Sequence, residues 1–498
     1  MSQNVAFHRP ELAALLPMYK LIRDALAGEP TVKAAGIEYL PMPNPHDDSK
    51  ENRARYEAYR TRAVFYNVAR GTLRGLIGQI FMREPIVTVP TQLDTLVKNA
   101  TGEGLSIVQL AKRASMFTLA YSRCGLFIDY PQTDSEGVTV EQVNSGMIRP
   151  TMYVYSPNEI VNWRTVERGA EVLLSLVVIF ETYGVYDDGF ETKNSPQFRV
   201  LKLDENGHYV CEVWREPQPT EAKGLPPKRG NFQKVEVFNP KDVNGAPMTR
   251  IPFTFIGAEN NDSSPDNPAF YDLASLNIAH YRNSADYEES CFIVGQPTPV
   301  LAGLTEEWVT SVLKGTVNFG SRGGIPLPVG AQATLLQAQP NTMLKEAMDT
   351  KERQMVALGA KLVEQKQVQR TATEASLDSS TESSTLSNVS RNVSDAFEWG
   401  LKFAATWIGA NESGIQFALN SDFDVTRATP DERAEIVKEW QAGAISWTEM
   451  RDALRKAGIA TQDDDIARAQ IQSEMIEQLK LVEDNDNNQN QDSDKAAE

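Results

Sequence analysis

Three consecutive aspartates, Asp463, Asp464 and Asp465, form the densest group of side chains in this sequence that could carry chemistry. Carboxylates bind divalent cations and exchange protons as general acids and bases, so a metal-dependent hydrolase is one hypothesis for this run. The run also stands directly before Ile466 and a helical pattern, where aspartates cap a helix and interact favourably with its macrodipole. Its position therefore favours capping over catalysis.

The glycines of the segment FGSRGG form a second candidate site. Gly320, Gly323 and Gly324 could cradle a phosphate group with their backbone amides. The chain has no GxxxxGK(S/T) and no GxGxxG motif, which are the patterns typical of nucleotide phosphate sites. A tight turn between strands is therefore the favoured interpretation.

The histidines and possible nucleophiles give no catalytic pattern. No histidine stands in an HExxH motif, no GxSxG motif occurs, and no cysteine has an evident histidine partner. A lone histidine on a helix, such as His280, is more typical of packing than of a ligand. The sequence predicts a protein that is not an enzyme and has no metal or other cofactor. The histidines are His8, His46, His208 and His280.

Composition and charge limit the classes of partner. The 498 residues predict two or three domains, and a formal net charge of -18 argues against a basic surface that wraps an anionic partner. Any contact with DNA should therefore be local or weak. The longest apolar run, 172–180, is about half a membrane span, and the first residues lack a secretory layout, so no membrane contact is predicted. The three widely spaced cysteines, Cys124, Cys211 and Cys291, favour a reducing cytosolic origin over a disulfide framework.

Residues 51–125 are predicted to be helical. One apolar stripe continues until Pro85, and Gly71, Gly75 and Gly78 on it are expected to allow close packing. A second stripe has Ser106 at the N-cap position. The helix is expected to end at Gly125. The stripes are Tyr56, Tyr59, Ala63, Tyr66, Leu73, Ile77 and Ile80, followed by Ile107, Leu110, Ala114, Phe117 and Tyr121.

Residues 126–257 change to the period of strands. Short segments rich in β-branched and aromatic residues alternate with turn formers, and DENG at 204–207 indicates a hairpin. This pattern predicts a mostly antiparallel, β-rich domain.

Two long helices are predicted beyond this domain. Asn267 and Pro268 suit the N-cap and first position of one helix, which Gly295 ends. A small mixed segment follows at 296–340, with a helix predicted at TEEWVTSVLK. The second long helix covers 341–366. Its apolar face is Leu344, Met348, Met355, Leu358 and Leu362.

The stretch 371–394 is half serine and threonine, as in a flexible linker, but it contains neither glycine nor proline. Apolar residues continue through it at helical spacing, so a third long helix is predicted. Its small hydroxyl side chains suit close packing between neighbouring copies of the chain, and a solvated serine-rich face is the alternative. The apolar residues are Leu386, Val389, Val393, Phe397, Leu401, Ala404 and Ile408.

The C-terminal part begins with two short helices. Thr429 with Glu432, and Ser446 with Glu449, have the spacing of capping boxes. A further helical stretch is predicted near 464–482. The acidic, asparagine-rich tail from 483 to 498 is predicted to be disordered.

This order of elements resembles the portal proteins of tailed bacteriophages, in the branch known as a domain of unknown function found in phage portals. The resemblance spans most of the chain. It is carried by YEAYRTRAVFYNVARGTLRGLIGQIFMREP at 56–85, AFYDLASLNIAHYRNSADYEESCFIVGQPTPVL at 269–301, LVEQKQVQRTATEAS at 362–376 and GAISWTEM at 443–450.

The resemblance implies an α+β, portal-like fold. A β-rich wing, two long stem helices around a small αβ clip, a tunnel helix and a helical crown are its parts. The implied regions are an N-terminal arm 1–50, wing 51–267, stem helix 268–294, clip 296–340, second stem helix 341–366, tunnel loop 367–373, tunnel helix 374–412, return to the wing 413–428, crown 429–482 and disordered acidic tail 483–498.

Functional residues follow from the resemblance by position. In the tunnel loop, the side chains implied to touch channel DNA are Lys366, Gln367, Gln369, Arg370 and Thr371, with simple capping of the adjoining helices as the alternative. In the clip, Glu306, Glu307, Arg322 and Gly323 are implied to contact terminase and adaptor. Several portal groups have a glycine in the tunnel loop. This chain has none between Gly359 and Gly400, which predicts a short or partly helical joint.

The implied function is a ring at one capsid vertex that serves as the channel for packaging and ejection of double-stranded genome DNA. Its implied partners are further copies of the chain, about twelve in a homo-oligomeric ring, the major capsid protein, the large terminase subunit and the head-to-tail adaptor. The implied location is the virion, after assembly in the host bacterial cytoplasm. A virion adaptor or scaffold-associated protein without a channel is the alternative, and a metal-dependent hydrolase is a third hypothesis.

Overall fold

The computed structural model describes residues 4–129, 149–186, 190, 192–216, 231–242, 245–295, 298–312, 327–336, 342–362, 384–421, 423, 430–456, 460, 464 and 466–473. The chain divides into two compact units, 1–421 and 422–498. The described residues combine long helices with antiparallel sheets, so the predicted α+β class is confirmed.

The first unit begins with helices that belong to its core. The region expected to be an N-terminal arm forms α1 (Pro10–Ala27) and α2 (Glu29–Ala34). Tyr19 and Ile22 of α1 are completely buried. Their apolar side chains pack into the body of the unit, and the boundaries of the predicted N-terminal arm, 1–50, stay a prediction.

The continuous stripe predicted over 56–80 is divided between two helices, α3 (Lys50–Arg62) and α4 (Val68–Ile80). Asn67 starts the second helix, because its side chain accepts a hydrogen bond from the backbone N–H of Arg70. Tyr66 lies in the break and is 57% exposed, so its place in the stripe is wrong.

The three glycines of α4 do not allow close packing. A β-carbon at Gly71, Gly75 or Gly78 would meet no atom within 4 Å. These glycines lie on the exposed side of the helix, whereas Leu73 and Ile77 lie on the buried side. The packing role predicted for them is wrong.

A short strand and two more helices lead into the first sheet. These are β1 (Ile86–Thr88), α5 (Asp94–Lys98) and α6 (Ile107–Tyr121). Ser106 and Gln109 form a capping box at the start of α6, which confirms the predicted N-cap. The predicted C-terminal glycine is wrong, because Ser122 ends the helix in a left-handed conformation and Gly125 lies in the following strand.

Two antiparallel sheets contain the strands predicted from sequence. The three-stranded sheet has the order β3-β2-β9, formed by Thr151–Tyr155, Arg123–Asp129 and Phe253–Gly257. The five-stranded sheet has the order β4-β5-β6-β7-β8. Its strands are Ile160–Arg168, Glu171–Tyr186, Thr192–Leu203, Tyr209–Arg215 and Gln233–Phe238. Asp204 and Gly207 form the predicted turn between β6 and β7.

The first long helix, α7 (Tyr271–Gly295), ends at the predicted glycine but begins three residues after Pro268. The carbonyl oxygen of Pro268 accepts the N–H of Tyr271 in a turn that precedes the helix. Within the following segment, β10 (Thr298–Ala302) pairs with β11 (Gln332–Leu336), and the short helix α8 (Glu306–Ser311) stands between them.

The second long helix, α9 (Thr342–Lys361), buries Met355 and keeps the rest of its predicted apolar face partly covered. The third, α10 (Thr385–Ile408), confirms the predicted periodicity, since the apolar residues predicted for it are all buried except Ile408, which is half-buried. The short strand β12 (Gln416–Ala418) follows it and pairs with β1.

The second unit contains α11 (Pro430–Gln441) and α12 (Trp447–Lys456). Ser446 and Glu449 form the predicted capping box, with both hydrogen bonds present. The box predicted at Thr429 and Glu432 and the tail 483–498 lie outside the described residues and side chains. Among the described residues, no helix combines the length and apolar character needed to cross a membrane.

Candidate functional site

Helices α7 and α9, with the small αβ segment between them, contain the described candidate site residues of the first unit. His280 on α7 is 2% exposed, and its Nε2 lies 3.2 Å from Oε1 of Glu352 on α9. Further along α7, a hydrogen bond with Cys291 is the main cause that raises the pKa of the Tyr287 hydroxyl. The negative charge of Asp349 on α9 also raises this pKa, so Asp349 lies near Tyr287. As the residue number rises on α7 it falls on α9, so the two helices are antiparallel.

His280 packs within this helix pair. Its only described hydrogen-bond partner is Glu352, and its Nδ1 atom is buried without one. Among the residues that the structure describes, no three histidine, cysteine or acidic side chains are placed to hold a metal ion. The packing interpretation of His280 therefore fits its surroundings.

Buried polar side chains attach α7 to the chain break between α3 and α4. Asn277 accepts the backbone N–H of Ala69 at 3.0 Å and donates to the carbonyl oxygen of Tyr66 at 2.8 Å. Ser284 accepts the backbone N–H of Val64 at 3.0 Å. These bonds satisfy backbone groups that the interrupted helix leaves unpaired, so they fix the position of α7 on the body of the unit.

Helix α9 reaches α4 at one point of close approach. A β-carbon at Gly359 would lie 3.0 Å from the methyl group of Thr72. At the end of α9, the carbonyl oxygen of Leu362 accepts the backbone N–H of Leu386 at 3.2 Å. Residues 362 and 386 are therefore neighbours, although the chain between them includes the predicted tunnel loop.

The serines of α10 form hydrogen bonds with the segment 419–421, which follows β12. Ser387 donates to the carbonyl oxygen of Ser421 at 3.0 Å, and Ser390 donates to that of Asn420 at 2.6 Å. Ser394 accepts the backbone N–H of Leu419 at 2.9 Å. These three serines are buried within the chain. The expected contact between copies is therefore wrong for them, since their hydroxyl groups pair with the chain's own backbone.

Replacing Ser394 by alanine should lower the free energy of unfolding by about 1–3 kcal/mol, because the N–H of Leu419 would be buried without an acceptor. Urea denaturation measures this change. The same substitution at the exposed Ser413 is the control and should change the free energy by less than about 0.5 kcal/mol. Equal losses at the two positions would contradict the role given to Ser394.

The predicted clip residues are described only in part. Thr305 caps α8 by accepting the backbone N–H of Trp308, and Glu306 and Glu307 stand exposed in the first turn. Their negative charge is favourable at this end of the helix. Arg322 and Gly323 lie outside the described residues, as do the glycines considered for phosphate binding.

The predicted tunnel-loop residues also lie outside the described part of the chain. This applies to Lys366, Gln367, Gln369, Arg370 and Thr371. Of the aspartate run, only Asp464 is described, and it pairs with Arg455 and Arg451 of α12. These ion pairs give Asp464 a structural role within the second unit.

The buried thiols do not have the environment of nucleophiles. Burial raises the pKa of Cys124 to about 12 and that of Cys211 to about 12. A reactive cysteine needs its pKa lowered toward neutrality. Cys291 is exposed on α7.

A cleft beside α7 is a feature that the sequence did not indicate. It has a volume of about 290 Å³ and lies between α3, the segment before α3 and α7. Its walls come from positions more than 200 residues apart, so no local spacing could predict it. The residues that line it include Asn44, Arg55, Tyr59, Asp286 and Glu289.

One protein family matches the part of the chain that contains α7, α9 and α10. Residues 269–408 match the family described as Domain of unknown function (DUF4055). The match begins just before α7 and ends at the last residue of α10. No curated protein matches the chain significantly.

Two solved structures are similar over most of the chain. One, titled "Neck of empty GTA particle computed with C6 symmetry", is 13% identical with a TM-score of 0.39 over 80% of this chain and 92% of that chain. The other, titled "Virion of native gene transfer agent (GTA) particle", is 14% identical with a TM-score of 0.40 over 85% of this chain and 98% of that chain. Similarity at these TM-scores does not establish a common fold.

Proposed function

We propose that this chain is the portal subunit of a tailed-phage particle, a structural virion protein rather than an enzyme. In this proposal, identical subunits form a ring at one capsid vertex, and genome DNA enters and leaves through its centre. Terminase docks on the ring during packaging, and the tail adaptor docks afterwards. Assembly takes place in the host cytoplasm, next to the major capsid protein.

The antiparallel pair of α7 and α9 is the observation that carries the proposal. A small segment with a β-ladder and a short helix connects these helices, and α10 is the next helix that the structure describes. This is the order in which the portal resemblance places stem, clip, stem and tunnel helix. The family match covers the same elements.

The charge of the chain suits a channel through which DNA slides. Each phosphate that a lysine or arginine neutralises releases counterions and adds binding free energy, which has to be overcome again at the next step. A chain with a net charge of -18 limits such adhesion. Because salt screens charges over about 8 Å, only side chains near the channel wall affect the DNA.

Electron microscopy of the purified chain tests the proposal directly. The expected result is closed rings with a central hole, with a mass by light scattering that corresponds to a single ring size. A protein that stays monomeric at high concentration would count against the portal. Specific binding to tails without ring formation would favour the non-channel adaptor.

Lys366 and Arg370 should contact the DNA backbone transiently in the proposed channel. Replacing both by alanine should leave ring assembly intact and reduce the DNA retained in filled heads severalfold, since each removed cation takes away a phosphate contact. Nuclease-protected DNA per particle measures the effect. Replacing the exposed Lys98 of α5 and Arg164 of β4, both within the implied wing, by alanine is the matched control. Unchanged DNA amount and stability would exclude this role for the two residues.

The hydrolase hypothesis makes a different prediction. It requires tight, stoichiometric binding of a divalent cation that is lost when Asp463, Asp464 and Asp465 are replaced by asparagine. Calorimetric titration with magnesium and manganese measures this binding. The ion pairs of Asp464 with Arg451 and Arg455 favour a structural role for that aspartate instead.

A further inference from the structure

The cleft beside α7 contains a carboxylate without a cationic partner. Asp286 accepts a hydrogen bond from the hydroxyl group of Tyr59 at 2.6 Å and forms no ion pair with any described residue. Glu289, one turn further along, pairs with Arg62 and lies 3.9 Å from Arg55. The cleft therefore has one acidic group that a further positive charge could neutralise.

Neighbouring groups fix the position of this carboxylate. Tyr59 is 5% exposed, and its pKa is raised first by burial, then by its hydrogen bond to Asp286 and by the charges of Asp286 and Glu289. Asn52 donates to the carbonyl oxygens of Asn44 and Asp47 and thereby holds the wall of the cleft. Asp286 itself stays exposed at the opening.

The cleft lies on the side of α7 that faces away from α9. Successive residues of an α-helix are about 100° apart, so Glu289 projects about 180° from His280, which contacts α9. Asp286 is about 120° from His280 by the same rule. The cleft therefore lies on the side of α7 opposite its contact with α9.

Arg353 stands on the exposed face of α9. It is about 160° around the helix from the buried Met355. Its hydrogen bonds are local, to the carbonyl oxygen of Asp349 at 3.3 Å and to the hydroxyl group of Thr350 at 3.4 Å. It forms no ion pair with a residue that the structure describes.

We propose that the cleft at Asp286 receives Arg353 from a second copy of this chain. The acid and the base lie on different sides of the helix pair, so each copy offers one of each to two different neighbours. Such a contact is heterologous, and when rotation repeats it, the copies close into a ring. The planar guanidinium suits a carboxylate beside a tyrosine hydroxyl and amide groups. This inference rests on the proposed ring and names the side chains that join its subunits.

Chemical cross-linking tests the pairing directly. Asp286→Cys and Arg353→Cys are combined in a chain that also carries Cys291→Ser, which removes the exposed native thiol of α7. A short bismaleimide is used as the cross-linker, because an arginine–carboxylate pair spans a longer distance than a disulfide allows. The expected product is a ladder of covalent multimers. A ladder that stops at the dimer would indicate an isologous contact and overturn the proposal.

Two control pairs keep the cross-linking specific. Asp272→Cys replaces Asp286→Cys in the first, because Asp272 is an exposed acid of α7 about 20 Å along the helix from Asp286. Lys345→Cys replaces Arg353→Cys in the second, because Lys345 lies about 20° around α9 from Glu352, on the side that faces α7. Neither pair should give a ladder, and equal cross-linking in either would overturn the assignment.

Charge reversal gives a second readout. Asp286→Arg should raise the concentration needed for ring formation about tenfold, and adding Arg353→Asp should restore most of the loss. Asp272→Arg is the control for the change in net charge. If the wild type forms rings and neither reversal affects them, the inference fails and the proposed function stands. If the wild type forms no rings, both fail.

Discussion

Phe397→Ala should lower the free energy of unfolding of the first unit by about 3–5 kcal/mol. Phe397 is completely buried on α10 and stacks on Phe417 of β12, with ring centroids 5.2 Å apart. Truncation removes this aromatic contact and leaves a cavity that the neighbouring backbone cannot close, because β12 is also held by its ladder with β1. Urea denaturation at equal protein concentration measures the loss.

Phe190 provides the matched control for this substitution. It is 97% exposed, so Phe190→Ala should change the free energy of unfolding by less than about 1 kcal/mol. If Phe397→Ala were equally mild, α10 would not be the central packing element of the first unit.

The sequence was informative wherever side-chain periodicity alone decides the structure. Short segments rich in β-branched and aromatic residues, separated by turn formers, predicted the strands of both sheets, because such side chains pack well on a pleated surface. Helical spacing predicted α10 against a linker-like composition, since Phe397 and Leu401 repeat on one side and are buried. The capping boxes at Ser106 and Ser446 were also predictable, because each depends on residues three positions apart.

Contacts between distant segments could not be predicted in this way. Gly400 looks like an interruption of α10, yet a β-carbon there would lie 2.5 Å from Met152, so the glycine lets the helix approach the sheet. Gly71 on α4 has the same residue type and meets open space. Sequence spacing does not distinguish these two glycines, because the difference lies in what packs against them.

The candidate site also depends on contacts between distant segments, which sequence spacing does not predict. The sequence predicted a helix at TEEWVTSVLK, and Glu306 and Glu307 lie exposed in its first turn. Their contact with terminase stays a prediction from the resemblance. The cleft at Asp286 depends on Tyr59 of α3, which is 227 residues away in sequence. Its chemistry emerges only when α3 packs on α7, so it could not be found from a motif.

Glu306→Arg combined with Glu307→Arg should weaken binding of the large terminase subunit by at least about tenfold for each reversed charge. This prediction follows if terminase docks on the segment between α7 and α9. Both side chains are exposed, so a partner meets them directly. Inside the chain, the reversal removes only a favourable interaction with the N-terminus of α8, about 0.3–1 kcal/mol for each charge. Ring formation should therefore persist while DNA packaging falls.

Glu103→Arg combined with Glu167→Arg is a control that reverses the same number of charges at exposed positions away from the proposed docking segment. Binding of purified terminase to preformed rings, followed by packaging of DNA into empty heads, separates docking from assembly. Loss of terminase binding with intact rings supports the docking role, because the two arginines repel a surface that had been complementary to the acids. Unchanged affinity of the double variant for terminase would exclude Glu306 and Glu307 as the docking site. An equal loss of affinity in the control would indicate that the total charge of the ring, and not this turn of α8, governs terminase binding.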